Sequence, residues 1–219
     1  MNNKKYWLLL IIIVAFLSYY LANNYFNTFK TNKIINEISN EDLNKDNSNL
    51  IGWLTVKNTN INYPVVQSDD NKYYLNHDLN NNQNKAGWIF QDYRSNKELT
   101  TKNTIIYGHA RISDGTMFGS LYNILNKSWY TNQDNHIITY KIKSKTNYYQ
   151  VFSTYIIPKE TYYLKTAFNN DNAYLNYLNE IKSRSYYNYN IELYSTDFIL
   201  TLTTCYQNNQ RLVLHAKLL

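Results

Sequence analysis

The chain has 219 residues, which suits one domain with a sizeable core. A single Cys excludes a disulfide framework and a zinc site built from several cysteines, and 24 Tyr make the chain too aromatic for a disordered protein. The formal net charge is +6, but it is dispersed and forms no dense Lys/Arg block, so no nucleic-acid partner is predicted. This dispersed charge favours an ordinary solvated surface over specific attraction to an anionic cell envelope.

The N-terminus contains an apolar run, Tyr6–Ala22, that has no charged residue and follows two lysines. Its length reaches the short end of a membrane-spanning helix and exceeds a usual signal-peptide core. A cleaved signal peptide is the alternative, but the only small residue available for cleavage is preceded two positions earlier by the bulky Tyr20. A retained anchor is therefore predicted over residues 6–22, with residues 1–5 as a cytoplasmic tail and the rest of the chain outside.

Beyond the anchor, the spacing of apolar residues in 23–50 predicts a linker of one or two short amphipathic helices. Residues 51–219 then contain eight short runs rich in β-branched and aromatic residues, separated by turn-forming Asn, Asp and Gly. This pattern predicts a mainly β fold, an eight-stranded closed barrel. The runs are 51–56, 61–66, 86–90, 103–108, 136–142, 148–157, 196–205 and 211–218.

Two helices are predicted among these strands. Residues 118–129 follow a turn and read as a short helix, and residues 169–185 carry helically spaced apolar residues after a run of Asn and Asp. The second helix would lie in the long connection between the sixth and seventh strands. Connections of this length in compact domains are frequently functional.

Three chemically capable residues lie at predicted strand ends: His109 follows the fourth strand, Cys205 ends the seventh, and Arg211 begins the eighth. A thiol with an ordinary pKa near 8.5 is only slightly ionised at neutral pH. A neighbouring imidazolium lowers that pKa and can give a proton to a leaving amine, while a guanidinium keeps its proton and can stabilise an oxyanion. Together these groups would form an acyl-transfer site on one rim of the barrel.

Each residue also has an ordinary structural interpretation. A lone Cys on a strand is most often a small buried hydrophobic residue, and His or Arg near a strand end is most often solvated. Spacing alone does not select His109 over His77, His136 or His215.

A family resemblance selects among them. The segment TLTTC at 201–205, followed by Arg211, resembles the TLxTC signature and downstream arginine of the sortase family, and NTIIYGH at 103–109 resembles the segment that carries the family's histidine. The segment AGWIFQDYR at 86–94, the N-terminal helices and the helix-bearing insertion at 159–190 resemble the class B branch.

Sortases are membrane-anchored cysteine transpeptidases of Gram-positive cell envelopes, built on an eight-stranded barrel. The resemblance implies that Cys205 attacks a threonine carbonyl in the C-terminal sorting signal of a secreted protein and forms a thioacyl-enzyme. His109 would protonate the leaving amine and then deprotonate an amine of a peptidoglycan precursor, and Arg211 would stabilise the oxyanion or hold the peptide. Thr203 and Thr204 would line the cleft. No cofactor and no metal are implied.

The resemblance also indicates a peptide pocket. Asn71 and Leu75 fall where class B enzymes contact the sorting signal, and Tyr163 and Leu164 fall where the opposite wall begins. Ordinary loop packing would explain all four residues equally well. Class B members read NPxTN-like or related signals, so the motif itself stays open. Tyr206 directly follows the nucleophile position, so no acidic residue is available there to assist it.

Two alternatives belong to other classes. The chain could be an envelope Cys–His peptidase or hydrolase in which water replaces the acceptor amine, although the order of His109 before Cys205 is not that of papain-type enzymes. It could also be a non-catalytic, membrane-anchored binding module with an inert Cys205. A product assay with and without an amine separates the first alternative from a transpeptidase, and thiol reactivity tests the second.

Overall fold

The fold, seen in a computed structural model, is described for residues 3–39, 48–142 and 145–219. Among these residues, eight strands close into a barrel in the order β1-β2-β3-β4-β7-β8-β6-β5, which confirms the predicted fold class. The strands are β1 Leu50–Val56, β2 Asn62–Val66, β3 Phe90–Gln91, β4 Asn103–Tyr107, β5 Ile137–Ile142, β6 Lys145–Pro158, β7 Ile199–Tyr206 and β8 Gln210–Leu218.

The barrel is mixed, because β2 pairs with β3 and β4 with β7 in parallel, whereas the other pairs are antiparallel. In the β4–β7 pair, Tyr107 lies opposite Thr203. In the β7–β8 pair, Cys205 lies opposite Arg211. The carboxyl ends of β4 and β7 and the amino end of β8 therefore meet at the same end of the barrel.

Two apolar clusters hold this architecture together. The barrel interior is filled by residues that include Leu54, Ile106 and Leu214. Outside the barrel, helix α3 (Asp171–Ser183) packs its buried face, including Leu178, against Val213 and neighbouring strand residues. The helix predicted over 169–185 is thus present, and the side chain of Asn170 caps its amino end by accepting a hydrogen bond from the backbone of Ala173.

The chain between the fourth and fifth strands also follows the prediction in outline. A 3-10 helix, Gly119–Leu125, is followed by the short helix α2, Lys127–Thr131. The predicted helix at 118–129 therefore exists, divided into two segments at Asn126, whose extended backbone conformation interrupts it.

The third strand differs from its prediction. Of the predicted residues 86–90, only Phe90 belongs to β3. Gly87 lies in a turn with φ of +58°, and its N–H donates to the carbonyl of Asn84. The apolar run at 86–90 is therefore buried, but most of it lies in a turn and not in a strand. Gly87 makes this turn possible because it adopts a positive φ that other residues rarely adopt.

The N-terminal segment forms one continuous helix, α1, from Asn3 to Ser39, which contains no Gly or Pro that would interrupt it. By its length and composition alone, the stretch Lys5–Ile34 of this helix could cross a membrane. Within the predicted linker, residues 23–39 belong to α1, Leu50 already belongs to β1, and residues 40–47 lie outside the described part. Ile34 is buried in the main apolar cluster, and Lys30 forms an ion pair with Asp78 at 3.1 Å.

Candidate active site

A cavity of about 280 Å³ opens where the ends of β4, β7 and β8 meet. Eight of the nine residues predicted to form the site line it: Leu75, His109, Tyr163, Leu164, Thr203, Thr204, Cys205 and Arg211. The cavity also includes Tyr107, Gly108, Lys159, Glu160 and Thr161, which the sequence did not single out. The last three begin the connection after β6, where only the length of the insertion pointed to a role.

Cys205 is exposed and unpaired, near the end of β7. Its backbone carbonyl accepts a hydrogen bond from the hydroxyl of Tyr122 at 3.3 Å, and the ring of Tyr122 stacks on Tyr206 with 4.8 Å between ring centroids. The backbone at the thiol is therefore held by strand pairing and by an aromatic pair, while the side chain is open to solvent. This placement is opposite to that of an inert, buried cysteine.

His109 lies two residues beyond β4, and its Nε2 is 2.7 Å from the carbonyl oxygen of Leu75. A carbonyl oxygen only accepts hydrogen bonds, so Nε2 carries the hydrogen in this contact. Nδ1 is the ring nitrogen that this contact leaves unoccupied. A Cβ atom on Gly87 would lie 3.0 Å from Cδ2 of His109 and 2.8 Å from the Leu75 carbonyl oxygen, so only glycine fits beneath this pair.

The two threonines before Cys205 are fixed by hydrogen bonds. The hydroxyl of Thr203 lies 3.1 Å from the hydroxyl of Tyr163, and the hydroxyl of Thr204 donates to the carbonyl of Gly108 at 2.7 Å. Burial raises the pKa of the Tyr163 phenol, which keeps this side chain neutral. These contacts tie β7 to the insertion on one side and to the segment before His109 on the other.

Arg211 begins β8 and lines the cavity beside Cys205. One of its guanidinium nitrogens, Nη1, donates to the neighbouring carbonyl of Gln210 at 2.8 Å. A guanidinium has five N–H donors, so this contact leaves donors for an oxygen atom of a bound molecule. Arg211 can therefore serve as a hydrogen-bond donor but not as a base.

Asn71 is the predicted site residue that does not line the cavity. Its side-chain amide donates to Oδ2 of Asp92 at 2.9 Å, and its side-chain carbonyl accepts from the backbone N–H of Tyr93 at 3.1 Å. Both ends of the amide are thus occupied by the protein itself. This arrangement supports a structural role for Asn71 beneath the cavity wall.

The other histidines do not line the cavity. His77 stacks on Tyr73, and His136 packs against aromatic rings near the start of β5. His215 is fully buried, and burial lowers its pKa to about 3, so its ring is neutral at ordinary pH. Among the described residues, no group of three or more His, Cys, Asp or Glu side chains is placed to hold a metal ion.

An exposed thiol that shares a cavity with an imidazole and a guanidinium, on the rim of a closed barrel, is the arrangement expected of a cysteine-dependent acyl-transfer enzyme. Residues 54–219 match the family model of the sortase domain. The chain belongs to the sortase family, and its relatives place it in class B.

Those relatives are similar to this chain over most of its length. Sortase B of Listeria monocytogenes is 39% identical over 179 residues, covering 80% of this chain and 71% of that protein. Sortase B of Staphylococcus aureus is 36% identical over 183 residues, covering 82% and 74%. The solved Staphylococcus aureus sortase B–substrate complex has a TM-score of 0.74 and 31% identity, and the match covers 92% of this chain and 97% of that one.

The predicted family and reaction are therefore confirmed at the level of class: the chain is a class B sortase, a cysteine transpeptidase. Sortases act on secreted proteins that carry a sorting signal and on peptidoglycan precursors. The two alternatives considered from the sequence, a hydrolase and a non-catalytic binding module, are not the classes that these relatives support.

Proposed function

We propose that Cys205 is the nucleophile of this transpeptidase. The observation that carries the proposal is the composition of the chain: it has one Cys, so a cysteine transpeptidase made of these residues has no other thiol to use. That Cys is exposed and lines the cavity. The thiolate attacks the carbonyl carbon of a threonine in the sorting signal, which forms a C–S bond and places negative charge on the carbonyl oxygen.

His109 and Arg211 complete the reaction in this proposal. Arg211 donates a hydrogen bond to the oxyanion. When the C–N bond breaks, the protonated His109 gives its proton to the departing amine through Nδ1, because Nε2 is bonded to the Leu75 carbonyl. The acceptor amine of the peptidoglycan precursor then attacks the thioester, its proton passes to His109, and the C–S bond breaks to restore the thiolate.

The sorting signal would lie between two walls of the cavity, one formed by Leu75 and the other by Tyr163 and Leu164. Apolar and aromatic walls suit a proline-containing peptide, which supports an NPxTN-like or related signal. That a class B relative has been solved with its substrate supports a preformed peptide site on this fold.

The proposed location is the outer face of a cell membrane. Residues 6–22 would form the anchor, residues 1–5 would remain in the cytoplasm, and the barrel would lie outside. The continuous helix α1 supports this arrangement, because its apolar side chains are exposed in the protein and need another apolar environment. The lysines before the run support the orientation.

The experiment incubates the full chain, in detergent micelles, with NPxTN-like and related peptides, with and without an amine acceptor. Intact-protein mass spectrometry then measures the mass of the thioacyl adduct. An adduct that retains the peptide up to its Thr, is absent in Cys205→Ala and is discharged by the amine would support the proposal. His109→Ala should lose the adduct and His77→Ala, a histidine outside the cavity, should keep it. An adduct that survives in Cys205→Ala would refute the assignment.

A further inference from the structure

The carboxylate of Asp92 lies buried beneath the cavity and gathers donors from three segments of the chain. Arg94 contributes its backbone N–H and Nε to Oδ1, both at 2.9 Å, and Nη2 to Oδ2 at 2.6 Å. Asn71 and the hydroxyl of Tyr107 donate to the same Oδ2, at 2.9 and 2.8 Å. Burial alone would raise the pKa of this carboxyl, but these donors lower it, so Asp92 is ionised.

The three segments carry different parts of the cavity. Asn71 lies two residues before the 3-10 helix Tyr73–Leu75, which ends at the cavity wall and supplies the carbonyl that holds His109. Tyr107, at the end of β4, lines the cavity itself. Asp92 therefore links the loop that contains Asn71 to the end of β4, two residues before His109.

Arg94 extends this connection to the opposite wall. Its Nη2 donates to the backbone carbonyl of Leu164 at 3.1 Å while also binding Asp92. Around Leu164 the insertion has only a one-turn 3-10 helix, Tyr162–Leu164. The carbonyls on either side of Leu164 are bound by the side chains of Asn103 and Tyr177, and the Leu164 carbonyl between them is bound by Arg94. The planar guanidinium fork fixes both partners at once, which a lysine cannot do in the same geometry.

We propose that Asp92 and Arg94 form a positioning pair that fixes the distance between the Leu75 and Leu164 walls and thereby sets the affinity for the sorting-signal peptide. This inference rests on the proposed function. Neither side chain lines the cavity, so the pair acts through the walls and not by contact with the reacting atoms. Arg94 contacts the Leu164 wall directly, whereas Asp92 binds Asn71 and Tyr107 on the side of the cavity that carries His109.

The test compares full-length chains in detergent micelles: the parent, Arg94→Ala, Arg94→Lys and Lys217→Ala. Lys217 is a matched control, because it also joins one carboxylate, Asp197, and one backbone carbonyl, that of Glu192, but at the opposite end of β8 from Arg211. The measurements are KM and kcat for the peptide, KM for the acceptor amine, and the rate of Cys205 alkylation by iodoacetamide.

Arg94→Ala should raise the peptide KM about tenfold, because a charge-assisted hydrogen bond to the wall is lost. Its kcat, amine KM and alkylation rate should stay within about twofold of the parent, a split that general destabilisation would not produce. Arg94→Lys should recover part of the affinity, and Lys217→Ala should match the parent.

A peptide KM unchanged in Arg94→Ala, or raised equally in Lys217→Ala, would overturn the inference. A fall in kcat and in alkylation without a change in KM would also overturn it, since that result would indicate general damage to the site. If the parent forms no thioacyl adduct with any peptide, the proposed function itself fails and this inference fails with it, and the adduct measurement identifies that case separately.

Discussion

The buried imidazole of His215 makes the free energy of unfolding of the barrel depend on pH. Its ring is fully buried in β8, with Nε2 2.8 Å from the hydroxyl of Tyr155 and Nδ1 2.8 Å from the hydroxyl of Thr201. Thr201 donates its own hydrogen to Asn103, so we assign Nδ1 as the donor to Thr201 and Nε2 as the acceptor from Tyr155. Both ring nitrogens are therefore satisfied in the neutral form.

Protonation of His215 would bring a charge into this buried site, and burial accordingly lowers the pKa from 6.5 to about 3. The unfolded chain takes up a proton as the pH falls through 6.5, while the folded chain does not until about pH 3. The contribution of His215 to the free energy of unfolding is therefore fully present well above pH 6.5 and is lost as the pH falls below that value. With about 1.4 kcal/mol per pKa unit, the loss from this one group between pH 7 and pH 5 is about 2 kcal/mol.

The assay is urea unfolding of residues 26–219 at pH 7 and pH 5, followed by tryptophan fluorescence, for the parent and for His215→Gln. The variant has a neutral amide in place of the imidazole, so it should lose about 2 kcal/mol less than the parent between the two pH values. The pKa of His136 is also lowered by burial, but His136 is present in both proteins and cancels in the comparison. Equal losses in the two proteins would refute the reasoning.

Two further substitutions test the cavity walls. Gly87→Ala should destabilise the protein by about 2 kcal/mol or more and reduce thioacylation, because φ is positive and the new Cβ would press on the Leu75 carbonyl; an unchanged melting temperature would contradict this expectation. Tyr163→Phe should cost about 1 kcal/mol, since it removes the hydrogen bond to the hydroxyl of Thr203; urea unfolding measures the loss, and no loss would mean that this bond contributes nothing.

Much of the barrel could be predicted from local sequence because its strands bury alternating or continuous apolar faces. β7 is buried from Ile199 to Thr204, and the β-branched and aromatic residues of 196–205, followed by turn-forming Asn, predict it. The strand predicted at 86–90 was wrong, because most of these apolar residues are buried in a turn at Gly87 and not in a strand. An apolar run indicates burial, but it does not fix the backbone conformation. The continuous helix α1 was also missed, because a change from apolar to polar residues does not by itself end a helix.

The residues of the candidate site were also predictable only in part. The motif match selects Cys205, His109 and Arg211 as candidates, and the structure brings all three to one cavity. Local patterns could not assign the Asp92–Arg94 pair, because its function depends on contacts with residues distant in sequence, such as Leu164. Hydrogen-bond partners of this kind are set by tertiary structure, and a single sequence carries no signal for them.

The parallel pairing of β4 with β7 has a consequence for the order of folding. The β7–β8 hairpin closes through a three-residue 3-10 turn, so Cys205 and Arg211 meet through a local contact. His109 is brought to the same end of the barrel by the β4–β7 pairing, which joins Asn103 to Ile199 across nearly half of the chain. Such distant pairings form slowly. We therefore expect Cys205 and Arg211 to be in place before His109, and substitutions that delay β4–β7 pairing should reduce the yield of active molecules without changing the turnover of each one.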